Sequence, residues 1–106
     1  MKDWNAQEYR NHLTGELPVL VEFYAPWCVY CRRIGPALDK VAAGNEGRLT
    51  VGKINIDDEP ALAAQEQIEV VPTLVLYHRG EALGSMVAPD SKARIDEFLE
   101  DFQGGV

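Results

Sequence analysis

The strongest pattern in the chain is a run with almost no polar positions. Pro18-Val-Leu-Val-Glu-Phe-Tyr-Ala25 is rich in β-branched and aromatic residues and apolar at both odd and even positions. A strand with one wet face alternates, whereas a strand covered on both faces does not. The run therefore predicts a central strand with helices on either side. Pro26-Trp27-Cys28 ends it. From about Val29 to Ala43, the residues Ile34, Leu38, Val41 and Ala42 recur at helical spacing, which predicts an amphipathic helix kinked at Pro36. Leu49 to Ile56 reads as a second strand. Asp57-Asp58-Glu59-Pro60 then starts a helix, with acids and a proline where the first turn favours them, running to about Gln67. Thr73–His78 and Ala82–Val87 read as a hairpin turned by Arg79-Gly80-Glu81. At the two ends, Asn5 caps a short helix to Leu13, stopped by Gly15. Asp90 or Ser91 caps a last helix with Ile95, Phe98, Leu99 and Phe102 on one face. The tail from Gln103 to Val106 reads as a frayed terminus.

A strand–helix–strand unit implies parallel pairing through a right-handed crossover, and the hairpin adds two antiparallel strands. The expected architecture is α/β: one domain over residues 1–106, with a four-stranded mixed sheet flanked by helices.

Composition narrows the function. The 106 residues are 46% hydrophobic and 25% charged, an ordinary globular balance. The net charge is −7 and the 10 basic residues are scattered, so no basic stripe is available for phosphates and nucleic acid is not an expected partner. No stretch reaches the roughly 20 apolar residues that span a bilayer, and the first residues carry no apolar export segment. The expectation is a cytoplasmic protein without a membrane partner; a trimmed exported form would read the same. The charge also favours a monomer.

The only two cysteines are Cys28 and Cys31. A bridge across so short a gap closes almost no loop and stabilises little, so the pair reads as reactive or as half a metal site. It falls where a strand ends and a helix begins. Unpaired N–H groups and the positive end of the helix dipole then favour a thiolate at Cys28, below the free value of about 8.5. Glu22 is a carboxylate inside an apolar strand. Either it reaches a sheet edge, or it is a buried acid whose proton affinity is raised.

The segment Val21-Glu-Phe-Tyr-Ala-Pro-Trp-Cys-Val-Tyr-Cys31 resembles the active-site segment of thioredoxins and of the catalytic domains of protein disulfide isomerases. The resemblance continues through Pro36, Lys53-Ile-Asn-Ile-Asp57, Val71-Pro72-Thr73 and the final hairpin and helix, and covers nearly the whole chain. It implies a thioredoxin fold and a thiol–disulfide oxidoreductase that reduces protein disulfides. In it Cys28 is the attacking thiolate and Cys31 the buried resolving thiol. Pro72 is a cis-proline facing them, and Val71 offers backbone hydrogen bonds to a substrate strand. Glu22 is the acid beneath Cys31 that takes its proton, and Lys53 is its basic neighbour. Trp27, Val71, Pro72 and Ala88 form the docking patch. The implied partners are disulfide-containing proteins and a flavoprotein thioredoxin reductase. No cofactor beyond the Cys28–Cys31 disulfide is implied, and no metal.

Three departures qualify the resemblance. Only Met1 to Trp4 precede the first helix, so the strand that usually opens thioredoxins is expected to be absent or vestigial. The dipeptide Val29-Tyr30 replaces the usual Gly-Pro. Both residues keep an N–H, and an extra donor beside Cys28 would make the couple more oxidising. Ala88 stands where a glycine is usual. Arg32 and Arg33 are either a solvated helix face or cations that lower the Cys28 pKa. Other readings stay open. The Glu-Phe-Tyr-Ala-Pro-Trp-Cys run also fits a disulfide oxidase or isomerase, and Tyr30 suggests a glutaredoxin-like role. One C-x-x-C supplies two of the four ligands that a structural zinc needs, or a share of an iron–sulfur cluster between subunits. His12 and His78 are not at ligand spacing.

Overall fold

The computed structural model describes residues 1–103. The elements are β1 (Lys2–Asp3), α1 (Ala6–Leu13), β2 (Val19–Tyr24), α2 (Val29–Gly44), β3 (Thr50–Asn55), α3 (Pro60–Gln65), β4 (Thr73–His78), β5 (Glu81–Val87) and α4 (Lys92–Gln103). They form one sheet in the order β1-β3-β2-β4-β5. β1, β3 and β2 run parallel, β4 is antiparallel to β2, and β5, antiparallel to β4, returns to the direction of the first three.

The expected sheet of four strands is corrected to five. The opening strand survives as two residues, with Lys2 opposite Gly52 and Asp3 opposite Lys53. A run this short carries no periodic signal. It is held instead by its neighbour, as the Trp4 N–H donates to the Lys53 carbonyl at 2.7 Å and the indole is buried. The fraying expected of the tail concerns residues 104–106, which lie outside the described residues; Gln103 itself closes α4.

β2 is the centre of the molecule. Its residues from Val19 to Phe23 are all buried, because helices cover both faces. Val19, Val21 and Phe23 pack with Tyr9 of α1 and Leu62 of α3. Leu20, between them, faces Ile34, Leu38 and Val41 of α2 and Ile95, Phe98 and Leu99 of α4.

Local chemistry sets the ends of the elements. Asn5 accepts from the Glu8 N–H while the Glu8 carboxylate accepts from the Asn5 N–H, a reciprocal cap on α1. Ser91 rather than Asp90 caps α4, its hydroxyl accepting from the Arg94 N–H at 3.1 Å. Arg79 and Gly80 both have positive φ, which gives the β4–β5 hairpin the two-residue turn whose twist matches its strands. α3 stops at Gln65, two residues short of expectation, and Gln67 adopts a left-handed conformation. α2 continues as helix through Pro36.

Gly52 is a point of close approach: a Cβ there would overlap the Trp4 indole. Gly52→Ala is therefore expected to cost about 1–3 kcal/mol in a denaturant titration through overpacking. Gly44, the last residue of α2, has open space around its missing Cβ. Gly44→Ala should stabilise by roughly 0.4–1 kcal/mol by stiffening the unfolded chain. Equal effects from the two would contradict the placement of Trp4.

Candidate active site

The chain leaves β2, turns through Pro26 and Trp27, and enters α2 at Cys28. Cys28 is the N-cap residue of α2, with an extended backbone, and its sulfur accepts a hydrogen bond from the Cys31 N–H at 3.1 Å. A sulfur in the place of a capping oxygen satisfies an amide that the first turn would leave orphaned. The same N–H, together with the positive end of the dipole, stabilises a thiolate there once the pair is reduced. Cys28 and Cys31 are joined as a disulfide, with Cα atoms 5.3 Å apart. Both residues are buried, in a small cluster with Ala25, Tyr24, Tyr30, Ile56 and Val71.

Facing the disulfide is the loop before β4. The Val71–Pro72 peptide bond is cis, and the Val71 carbonyl oxygen lies 3.8 Å from Cys28 Sγ. The Thr73 hydroxyl donates to the Val70 carbonyl at 2.6 Å, which ties this loop to the start of β4. Among the described residues the Val71 N–H and carbonyl make no backbone hydrogen bond, so both are available to an added strand. The Ala88 N–H donates to the Pro72 carbonyl at 2.9 Å and brings the β5–α4 loop alongside. Ala88 has φ +45, in the left-handed region where a methyl group is costly and glycine is not. A glycine at this place would adopt the same conformation without that cost.

Among the described residues five large hydrophobic side chains are exposed, and four of them, Trp27, Val29, Val70 and Val87, adjoin the cysteines or the loops that face them. Such a concentration marks a contact surface. Of the four residues expected in it, Trp27 and Ala88 are exposed and Val71 is half-buried, but Pro72 is fully buried and offers no side-chain surface; Val29, Val70 and Val87 join the patch. Val70 and Val87 carry no sequence signal for this role, and the position of Val29 between the cysteines points to its backbone N–H rather than to its exposed side chain.

The dipeptide and the arginines divide. Tyr30 is half-buried, and its hydroxyl donates to the Pro89 carbonyl at 2.8 Å, joining the first turn of α2 to the β5–α4 loop. Arg32 and Arg33 are exposed and make no salt bridge among the described residues. No group of three or more metal-ligating side chains occurs among the described residues. His12 stacks on Trp4, and His78 contacts the Glu16 carbonyl.

Beneath α2 lies a row of in-register residues across the sheet: Asp3, Lys53, Glu22 and Leu74. Glu22 shares the Leu20 face of β2, the face that α2 covers. It is 2% exposed, and its Oε2 atom has no hydrogen-bond partner. Burial pushes its pKa up to about 7; Lys53 pulls it down, and Asp3 and Asp39 push it further up. Lys53 is its neighbour, as expected, yet the ammonium does not pair with it. Lys53 Nζ lies 3.9 Å from Asp3 Oδ2 and 4.9 Å from the centre of the Tyr24 ring. The Tyr24 hydroxyl in turn donates to Asp3 Oδ1. Asp3 and Tyr24 went unnoticed in the sequence, since nothing local to either announces a contact between residues 21 apart.

A family model described as Thioredoxin matches residues 1–101. The chain is 37% identical to "Thioredoxin" of Porphyra purpurea over 90 residues, which is 85% of this chain and 84% of that protein. It is 38% identical to "Thioredoxin 1" of Nostoc sp. over 88 residues, 83% of this chain and 82% of that protein. It is 34% identical to "Thioredoxin M-type, chloroplastic" of Spinacia oleracea over 103 residues, 96% of this chain and 57% of that protein.

The buried carboxyl makes stability depend on pH in a definite direction. The folded protein keeps the Glu22 proton up to about pH 7, whereas the free side chain loses it near 4.5. Between these values the folded state binds the extra proton, so stability falls as pH rises, by about 3 kcal/mol over the whole window. Denaturant midpoints should drop between about pH 4.5 and about pH 7, and Glu22→Gln should flatten that drop. An unchanged slope in the variant would place the titrating charge elsewhere.

Proposed function

The chain belongs to the thioredoxin family and is a thiol–disulfide oxidoreductase, and from that premise we propose that it works as a reductase of protein disulfides with Cys28 as its nucleophile. The observation that carries this reading is the hydrogen bond from the Cys31 N–H to Cys28 Sγ at the N-terminus of α2. In the reduced protein the Cys28 thiolate attacks one sulfur of a substrate disulfide. The substrate S–S bond breaks, a mixed disulfide forms, and the first substrate sulfur leaves as a thiolate that takes up a proton. Glu22 accepts the proton of Cys31, directly or through one water. The Cys31 thiolate attacks Cys28 Sγ, the Cys28–Cys31 bond closes, and the second substrate thiolate departs. Two electrons have moved from the dithiol to the substrate, and no cofactor beyond the cysteine pair is used.

The substrate presents an extended segment to the Val71 backbone, against Trp27 and Ala88, with Val29, Val70 and Val87 around them, while the buried Pro72 shapes the backbone it meets. A flavoprotein thioredoxin reductase returns the two electrons. The protein acts as a monomer in the cytoplasm. No helix among the described residues is long and apolar enough to cross a membrane, and the spinach relative is named as chloroplastic.

A carboxyl that burial raises to about 7 is a better acceptor of a thiol proton than an ordinary carboxylate. Glu22→Ala should therefore slow the second step and leave the first. Mixed disulfide should build up at neutral pH in the variant and not in the parent, as read by mass spectrometry after acid quench. Unchanged turnover would remove Glu22 from the mechanism.

Val29 and Tyr30 both keep backbone N–H groups where a proline would lack one. The couple is expected between the thioredoxin value of about −270 mV and the glutaredoxin range of roughly −200 to −230 mV. Equilibration against glutathione tests it, and a potential at or below the thioredoxin value would refute the contribution of the spacer.

A further inference from the structure

We propose that Asp3, in the two-residue strand β1, is a positioning residue for thiol–disulfide exchange, holding the Lys53 ammonium away from Glu22 so that this carboxyl stays unpaired as the proton acceptor. The inference rests on the reading of Glu22 given above.

The geometry offers Lys53 two partners. It sits on β3, with Asp3 in register on one side and Glu22 in register on the other. Neighbouring strands are about 4.8 Å apart, so the flexible stem of a lysine reaches either carboxylate. The structure has one of the two arrangements. Lys53 pairs with Asp3 and lies over the Tyr24 ring, while Glu22 Oε2 has no partner. Two features favour it. The Asp3 side chain is 61% exposed, so pairing there spares Lys53 the desolvation that a fully buried pair would require. The Tyr24 hydroxyl holds Asp3 Oδ1, which fixes the carboxylate with Oδ2 toward Lys53. Tyr24 also packs against the cysteine cluster, so this bracket is built next to the reacting sulfurs.

The consequence for Glu22 follows from charge. An ammonium in contact would favour the ionised carboxyl, and an acid already ionised far below neutrality is a poor acceptor for a thiol proton. Other groups facing Glu22 do not compensate. From α2 comes Asp39, which is paired with the Met1 amino group at 3.1 Å, and from β4 comes the apolar Leu74. On α4, Lys92 pairs with Asp96 and Arg94 with Glu97, and Glu100 and Asp101 are exposed to solvent.

The test is the Glu22 titration, followed by carboxyl-carbon NMR, in the parent, Asp3→Asn, Lys53→Met and the double variant. Mixed-disulfide decay is measured against pH in the same four proteins. Asp3→Asn should lower the Glu22 midpoint by about one pH unit or more, the effect of an opposite charge brought within contact. The decay profile should shift with it. In the Lys53→Met background the same substitution should move the midpoint by less than half as much. Tyr24→Phe should give a smaller shift of the same sign, and it carries the test alone if Asp3→Asn does not fold. An unmoved midpoint overturns the proposal. So does an equal shift with and without Lys53, because Asp3 would then act only through its own charge. If the midpoint moves and the decay profile does not follow, the proton-acceptor role of Glu22 fails and the function assigned to Asp3 goes with it, although Lys53 would still be held as described.

Discussion

Everything at the site depends on β2 being covered on both faces. It pairs with β3 on one side and β4 on the other, so it cannot move without breaking both ladders. Its carboxyl end delivers the chain to the N-terminus of α2, and Cys28 is the residue at which strand geometry gives way to helix. That junction is where an open α/β sheet has room for a ligand and where helix amides lack partners. The cysteine reactivity is thus a property of chain direction. Reversing the order of strand and helix would present carbonyls, not amides, to the sulfur.

The same burial creates an expensive side chain. A strand dry on both faces has no position at which a carboxylate meets water, and Glu22 occupies such a position without a full set of hydrogen bonds. A domain of this size has a total stability of about 5–15 kcal/mol, so a group costing about 3 kcal/mol in its charged form is a large item to keep. Replacing it by leucine would relieve that cost and, in the mechanism proposed above, would remove the acceptor of the Cys31 proton. The cost falls on the charged form only, and a proton is what the exchange reaction has to move.

Sequence pattern was sufficient wherever local chemistry decides the outcome. The apolar run of β2, the caps at Asn5 and Ser91, the Arg79-Gly80 turn and the cysteine-bearing helix start all carry their cause within a few residues. Glu22 was legible because a charge in such a run demands an explanation. Contacts between distant segments were not. β1 is too short for periodicity, and its strand character comes from β3 and from Trp4 lying over Gly52. Lys53 was expected beside Glu22 and is there, but the choice between two flanking carboxylates depends on Tyr24 and Asp3, which only the folded sheet brings together.

The dipeptide between the cysteines shows how an incomplete sequence reading differs from a wrong one. Counting its N–H groups treats Val29 and Tyr30 as equivalent. In the fold they point in different directions. Val29 is exposed and enlarges the apolar surface around the disulfide, whereas the Tyr30 hydroxyl reaches inward to the Pro89 carbonyl. Ala88, next to Pro89, has a backbone conformation unfavourable for any residue with a Cβ, and its N–H is committed to the Pro72 carbonyl. The Tyr30 bond therefore restrains a loop that has a conformational penalty to overcome, from the same turn of helix that holds the nucleophile. Substitutions in this dipeptide change the surface a substrate meets, as well as the field at the sulfur. A comparison of spacer variants by redox potential alone would attribute to the sulfur what belongs partly to the docking loop.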